Sequence, residues 1–196
     1  MRQLTRKDLW SLEEYAVRRN EFRTEVMKHK KHRQVVLGGH ARLYFEDEKT
    51  IRYQIQEMLR IEKVFEVEGI QDELDAYNPL IPDGSNWKAT FMLEYEDAEE
   101  RRKKTGELIG IEKAVWMQVR GHDKVFPVAD EDLEREDQEK TSTVHFLRFE
   151  LTADMIKAAR DGTDIIIGIA HDAFPCDEVT VSEDVRASLA GDLVLN

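Results

Sequence analysis

The sequence predicts an α+β fold in which helices pack on a mainly antiparallel sheet of about six or seven strands. Three observations support this prediction. Apolar residues alternate with other residues over positions 87–95, which is typical of a strand. Gly38 and Gly39 separate two short apolar segments, as in a hairpin. Residues 50–67 repeat apolar side chains at helical spacing. Because strands and helices are interspersed irregularly, an antiparallel sheet is favoured over a parallel one.

The amino-terminal segment carries two helix-start signals. Ser11 and Glu14 have the spacing of a capping box, which predicts a short helix that begins there. Asn20 is placed to cap a second helix that runs to about His32. The glycine hairpin follows, and its turn requires positive φ angles that glycine adopts without strain.

The helix predicted over residues 50–67 is the longest in the chain. Its apolar stripe consists of Ile51, Ile55, Met58, Leu59, Ile61 and Phe65. Glu62 falls inside the apolar arc, and Gln54 lies at its edge. An unpaired buried charge is very costly, so Glu62 either extends to solvent or is buried with a partner.

The remaining elements follow from turn residues and apolar runs. They are a turn at 82–85, a strand at 87–95, a charged helix at 97–108, a second hairpin from 115–120 and 124–128, an acidic helix or loop at 130–139, a strand at 144–151, a helix at 154–160, an apolar strand at 165–170 and a last helix at 184–190. No repeat or linker interrupts them, so we expect a single domain over residues 1–196.

The composition and net charge argue against several classes of function. The net charge of −12 argues against nucleic-acid or anionic-membrane binding, and one cysteine excludes an internal disulfide framework. No apolar run approaches the roughly 18–20 residues of a membrane span, and no signal peptide is present, so we expect a soluble cytoplasmic protein. Nucleotide-cofactor motifs are also absent.

Charge is unevenly distributed along the chain. Residues 1–33 carry a net charge of +5, so the remainder carries −17. This predicts a basic amino-terminal helical arm packed on an acidic body. The basic end of the arm, Lys28, Lys30, Lys31 and Arg33, is a candidate surface for a protein partner or for another copy of the chain. A solvated helix end that complements the helix dipole is the simpler interpretation.

Three segments resemble a known bacterial family. They are residues 52–62 (RYQIQEMLRIE), residues 77–90 (YNPLIPDGSNWKAT) and residues 140–151 (KTSTVHFLRFEL). They resemble the signature of the domain of unknown function 3501 family, over the whole chain. The resemblance implies no reaction and no functional residues. It implies a cytoplasmic bacterial protein often encoded beside rubrerythrin-like and iron–sulfur proteins, and hence a redox or peroxide-stress setting by association.

Glu62 and His145 form the main candidate centre. His145 shares a strand face with Leu147 and Phe149, so the two polar groups meet if the long helix packs its stripe on that face. Such a pair can serve in acid–base catalysis or as two ligands of a divalent metal. A satisfied buried pair that fixes the position of the helix is the favoured alternative.

The turn before strand 87–95 is a second candidate. Asp83, Asn86 and Lys88 can hold a small anion or polar group, and Gln54, expected near the Glu62–His145 centre, is a further candidate ligand-binding residue. A turn in which Asp83 and Asn86 bond their own backbone is the more common arrangement.

Two functions remain open. The first is a non-catalytic accessory protein that binds a redox partner or a small anion. The second is a metal-assisted enzyme built around Glu62 and His145. The sequence identifies no cofactor, although a divalent metal is possible.

Overall fold

The computed structural model describes residues 3–131 and 140–194 and confirms an α+β fold. The described residues form seven helices: α1 (Leu12–Lys30), α2 (Glu48–Glu62), α3 (Val67–Tyr77), α4 (Ala98–Glu107), α5 (Ile111–Ala114), α6 (Ala153–Arg160) and α7 (Glu183–Ala190). They also form eight strands: β1 (Gln34–Leu37), β2 (Ala41–Phe45), β3 (Asn86–Leu93), β4 (Val115–Val119), β5 (Val128–Ala129), β6 (Val144–Glu150), β7 (Ile165–Ile169) and β8 (Val179–Thr180). Most of the predicted acidic helix or loop, residues 132–139, lies outside the described residues.

The strands form two antiparallel sheets rather than one. The larger sheet has the order β1-β2-β3-β6-β5, and the smaller has the order β4-β7-β8. The glycine hairpin joins β1 to β2, with Gly38 and Gly39 at φ angles of 59° and 82°. The predicted second hairpin is reduced to a single bridge between Met117 and Val125, and β5 pairs with β6 instead.

One continuous helix replaces the two predicted at the amino terminus. The Ser11 hydroxyl accepts a hydrogen bond from the Glu14 amide at 3.2 Å, and the Glu14 carboxylate accepts one from the Ser11 amide at 3.2 Å. From this capping box α1 runs through Asn20, which starts no new helix. Tyr15, Phe22 and Val26 are all buried, so a shared apolar face holds the helix together.

Helix α2 ends earlier than predicted. Lys63 adopts the left-handed conformation, with a φ of 56°, and caps the helix directly after Glu62. The predicted stripe therefore stops at Leu59, which is buried, whereas Phe65 is 70% exposed.

The larger sheet is covered on both faces. Its inner face consists of buried side chains such as Leu43, Phe91 and Phe149, which belong to one core with the smaller sheet, α6 and α7. Its outer face carries half-buried side chains such as Thr90 and Phe146, and α2 and α3 lie over it. Helices α2 and α3 contribute to a second, smaller hydrophobic core. In the described part of the chain, no helix is both long and apolar enough to cross a membrane.

Candidate functional site

A cleft runs between the outer face of the larger sheet and the helices that cover it. It consists of two adjoining cavities of about 560 Å³ and 370 Å³. Glu46, Tyr77, Leu80 and Phe146 line both cavities, so the two are direct neighbours, and we call them together the helix–sheet cleft. Its volume falls in the range of small-molecule sites.

The walls of the helix–sheet cleft are apolar. Tyr77 and Leu80 come from α3 and the 3₁₀ turn that follows it, Met58 comes from α2, and Phe146 comes from β6. Helix α3 ends at Tyr77, and Pro79 in the 3₁₀ turn that follows has no amide hydrogen with which to continue the helix.

Glu46 lines both cavities, and hydrogen bonds within the protein already occupy both of its carboxylate oxygens. One carboxylate oxygen accepts a hydrogen bond from the Thr50 hydroxyl at 2.6 Å, and the other accepts one from the Thr90 hydroxyl at 2.7 Å. The Thr50 hydroxyl also accepts a bond from the Asp47 amide at the start of α2. Glu46 therefore joins the helix to the sheet.

Lys88 and Arg148 are direct partners on β3 and β6, and both line the cleft. Arg148 donates to both carboxylate oxygens of Glu131, at 2.8 Å and 2.7 Å, and also to Glu150. The Lys88 ammonium donates to the Pro79 carbonyl at 2.5 Å. Burial lowers the pKa of Lys88, and the nearby Arg148 charge acts in the same direction.

Glu73 and Asp75 are the two acidic residues of α3 that line the cleft, and Glu73 is the more buried of them. Burial raises the pKa of its carboxyl, and the neighbouring Glu62 and Asp72 charges raise it further. Glu73 therefore carries its negative charge less readily than an ordinary glutamate does.

The structure places the four predicted ligand-binding residues at two different locations. Gln54 and Lys88 line the helix–sheet cleft. Asp83 accepts hydrogen bonds from the Ser85 amide and hydroxyl, both at 2.8 Å. Asn86 is 1% exposed and bonds the Asp83 amide and Glu150. Asp83 and Asn86 thus build the turn before β3, which is the local alternative that the sequence offered.

The predicted pairing of Glu62 with His145 is wrong. Glu62 is an exposed residue at the last position of α2, and His145 is fully buried on the inner face of the sheet. The alternation along β6 gave the correct face for His145, opposite Phe91 on β3. Helix α2 covers the other face, so the predicted acid–base pair and the alternative metal site at these two residues have no geometric basis.

His145 instead pairs with Asp130. Its Nδ1 lies 2.6 Å from an Asp130 carboxylate oxygen, and its Nε2 lies 3.0 Å from the Ser142 carbonyl and 2.9 Å from the Thr141 hydroxyl. The other Asp130 oxygen accepts a bond from the Phe146 amide at 2.9 Å. The ring therefore joins the end of β5 to the loop before β6.

The predicted partner surface is partly wrong, because Arg33 is only 2% exposed. Its guanidinium bonds both Asp192 carboxylate oxygens, at 2.5 Å and 3.3 Å, and the Phe45 and Glu46 carbonyls. Lys28 and Lys31 are exposed, whereas Lys30 is half-buried and lines the cleft.

No group of three or more potential ligands that could hold a metal ion occurs within residues 3–131 and 140–194.

Sequence reasoning missed the outer face of the sheet as a site. Tyr77, Phe146 and Glu46 were not singled out, although one signal was available. Val144 and Phe146 are apolar residues on the face of β6 opposite Leu147 and Phe149. A strand with apolar residues on both faces is covered on both sides, which predicts a second layer over this sheet.

The fold and the cleft define an α+β protein with a charged cavity between a helical layer and a sheet. Residues 3–193 match the family model described as protein of unknown function (DUF3501), and the chain therefore belongs to this family. It is similar to a novel protein of unknown function from Burkholderia pseudomallei K96243, known from a crystal structure. The two share 52% identity over 98% of this chain and 100% of the other, with a TM-score of 0.94. No curated protein matches the chain.

Proposed function

We propose that this protein is a non-catalytic binding protein that holds a small molecule in the helix–sheet cleft. The observation that carries the proposal is a cavity of about 560 Å³ whose apolar walls surround a few charged side chains. Such a composition is typical of small-molecule sites.

Hydrogen-bonding capacity suggests the class of ligand. Both Glu46 oxygens accept bonds from threonine hydroxyls, and Glu131 is paired with Arg148. The Lys88 ammonium has three donors, and the Pro79 carbonyl takes one of them. The ligand that suits this cleft has an apolar body between Tyr77 and Phe146 and an acidic group that pairs with Lys88.

An accessory role fits this proposal better than catalysis. The enzyme alternative depended on a Glu62–His145 pair, and His145 is instead fully buried against Asp130. The cytoplasmic location, the binding of a redox partner or another copy through Lys28 and Lys31, and the redox or peroxide-stress setting that the family resemblance implied remain predictions.

Fluorescence titration with anilinonaphthalene sulfonate tests the proposal, because this probe combines an aromatic body with an acidic group. We expect saturable binding of one probe per chain. Ala76→Trp should reduce the affinity by about tenfold or more, because Ala76 is an exposed helical residue at the edge of the cleft.

Ala187→Trp is the matched control, because Ala187 is an exposed helical alanine on α7 that does not line the cleft. Its affinity should equal that of the unmodified protein. Binding that is absent, unsaturable or equally affected by both substitutions would contradict the proposed site.

A further inference from the structure

A second cavity, separate from the helix–sheet cleft, lies between α4 and the loop that precedes β6. It has a volume of about 450 Å³. Arg101, Arg102 and Thr105 of α4 line one side, and residues 140–143 line the other. None of the described residues that line it is acidic, although the chain as a whole has a net charge of −12.

The loop side of this cavity is held in place by buried hydrogen bonds. The Thr141 amide donates to the Thr105 carbonyl at 3.0 Å, which ties the loop to α4. Below the loop, the His145 ring contacts the Thr141 hydroxyl and the Ser142 carbonyl. The loop is therefore built to a fixed position before any ligand binds.

The loop presents hydroxyl groups to the cavity. The Thr141 hydroxyl lies 2.9 Å from His145 Nε2, which holds it in place. The Ser142 hydroxyl accepts from the Val144 amide at 3.1 Å. The Ser142 hydroxyl therefore keeps its own hydrogen for another acceptor. Thr141 is only 2% exposed and lines the cavity.

The opposite side adds positive charge. Arg101 donates to the Tyr95 carbonyl at 3.1 Å, which fixes its guanidinium at the start of α4. Arg102 and Lys140 are exposed and complete a set of three cations around the cavity. Guanidinium groups suit oxyanions because their planar donors can engage two oxygens at once.

We propose that this α4–β6 cavity binds an oxyanion of the phosphate class, either as free phosphate or as the phosphate group of a small molecule. Cations and hydroxyl groups converge on a space that no carboxylate of the described residues lines, and that chemistry selects a compact, multiply charged oxygen anion. In this proposal His145 is a positioning residue that presents the Thr141 hydroxyl.

Isothermal titration with inorganic phosphate, at constant ionic strength maintained with chloride, tests the proposal on the full chain. We expect saturable binding that Arg102→Gln weakens by about tenfold, the effect of losing hydrogen bonds to a charged group. Lys103→Gln is the matched control, because Lys103 is an exposed cation of the same helix that faces Glu107 and does not line the cavity.

Thr141→Val provides a second variant that removes a hydroxyl group from the cavity wall without changing charge. Because Thr141 is buried, the folding of this variant is first checked by its thermal transition, and Arg102→Gln decides the test if the variant unfolds. Glycerol phosphate distinguishes the source: tighter binding than inorganic phosphate supports a phosphate ester, and equal or weaker binding supports the free ion. Undetectable binding of both, or equal losses in Arg102→Gln and Lys103→Gln, would overturn the proposal.

Discussion

The two faces of the larger sheet differ in what covers them. On the inner face, side chains such as Phe91 and Phe149 are fully buried in the main core, and the polar residue His145 has hydrogen-bond partners at both ring nitrogens. On the outer face, residues such as Lys88 and Phe146 are half-buried beside an open cleft. The inner face therefore holds the fold together, and the outer face has room for a ligand.

Two phenylalanines on the same strand give the largest contrast. Phe149→Ala should lower the free energy of unfolding by about 3–5 kcal/mol, because it leaves a cavity in the main core. Phe146→Ala should cost about 1 kcal/mol, because its side chain is half-buried at the cleft. Denaturant unfolding measures both values. Equal losses would mean that the two faces are packed alike.

His145 and Glu62 provide the next contrast. His145→Ala should lower the free energy of unfolding by about 2–3 kcal/mol, because Asp130 is left without its ring partner. Glu62→Gln should change it by less than about 0.5 kcal/mol, because Glu62 is exposed. In the double variant the two losses in free energy of unfolding should add. A coupling energy above about 1 kcal/mol would mean that Glu62 and His145 do interact.

The helical layer should respond to acid because a charged cluster joins α1 to α2. Two hydrogen bonds from Arg19 lower the pKa of Glu57 to about 2, and the Tyr15 hydroxyl also donates to this carboxylate at 2.6 Å. A carboxyl whose pKa is lowered on folding stabilises the protein above its ordinary pKa of 4.5, and this contribution is lost as the pH falls towards 2.

Unfolding of the unmodified protein and of Glu57→Gln, measured at pH 7 and at pH 2, tests this contribution. The free energy of unfolding of Glu57→Gln should be lower than that of the unmodified protein by about 2 kcal/mol at pH 7, a value reduced because Glu57 is partly exposed. This difference should be smaller at pH 2. Glu21→Gln, an exposed change on α1, should show no such dependence. A pH-independent difference for Glu57→Gln would contradict the role of its charge.

Local patterns predicted the local structure well. The capping box at Ser11, the hairpin at Gly38 and Gly39 and the face of His145 all depend on residues close together in the sequence. The same is true of the turn that Asp83 forms with Ser85.

The sequence did not predict how elements that are far apart along the chain pack against each other. The alternation along β6 assigns two faces but does not say which one α2 covers. Asp130 reaches His145 from an irregular segment, where it has a φ of 51°. The position of Glu62 on the stripe assumed a helix that continues, whereas Lys63 ends it. These outcomes depend on tertiary packing, which helical and strand periodicities do not encode.

A crystal structure of the protein with bound anilinonaphthalene sulfonate would show directly whether the helix–sheet cleft is a binding site. We expect the aromatic body of the probe between Tyr77 and Phe146, with its sulfonate beside the Lys88 ammonium. An empty helix–sheet cleft with the probe bound only elsewhere on the molecule would rule out the proposed function.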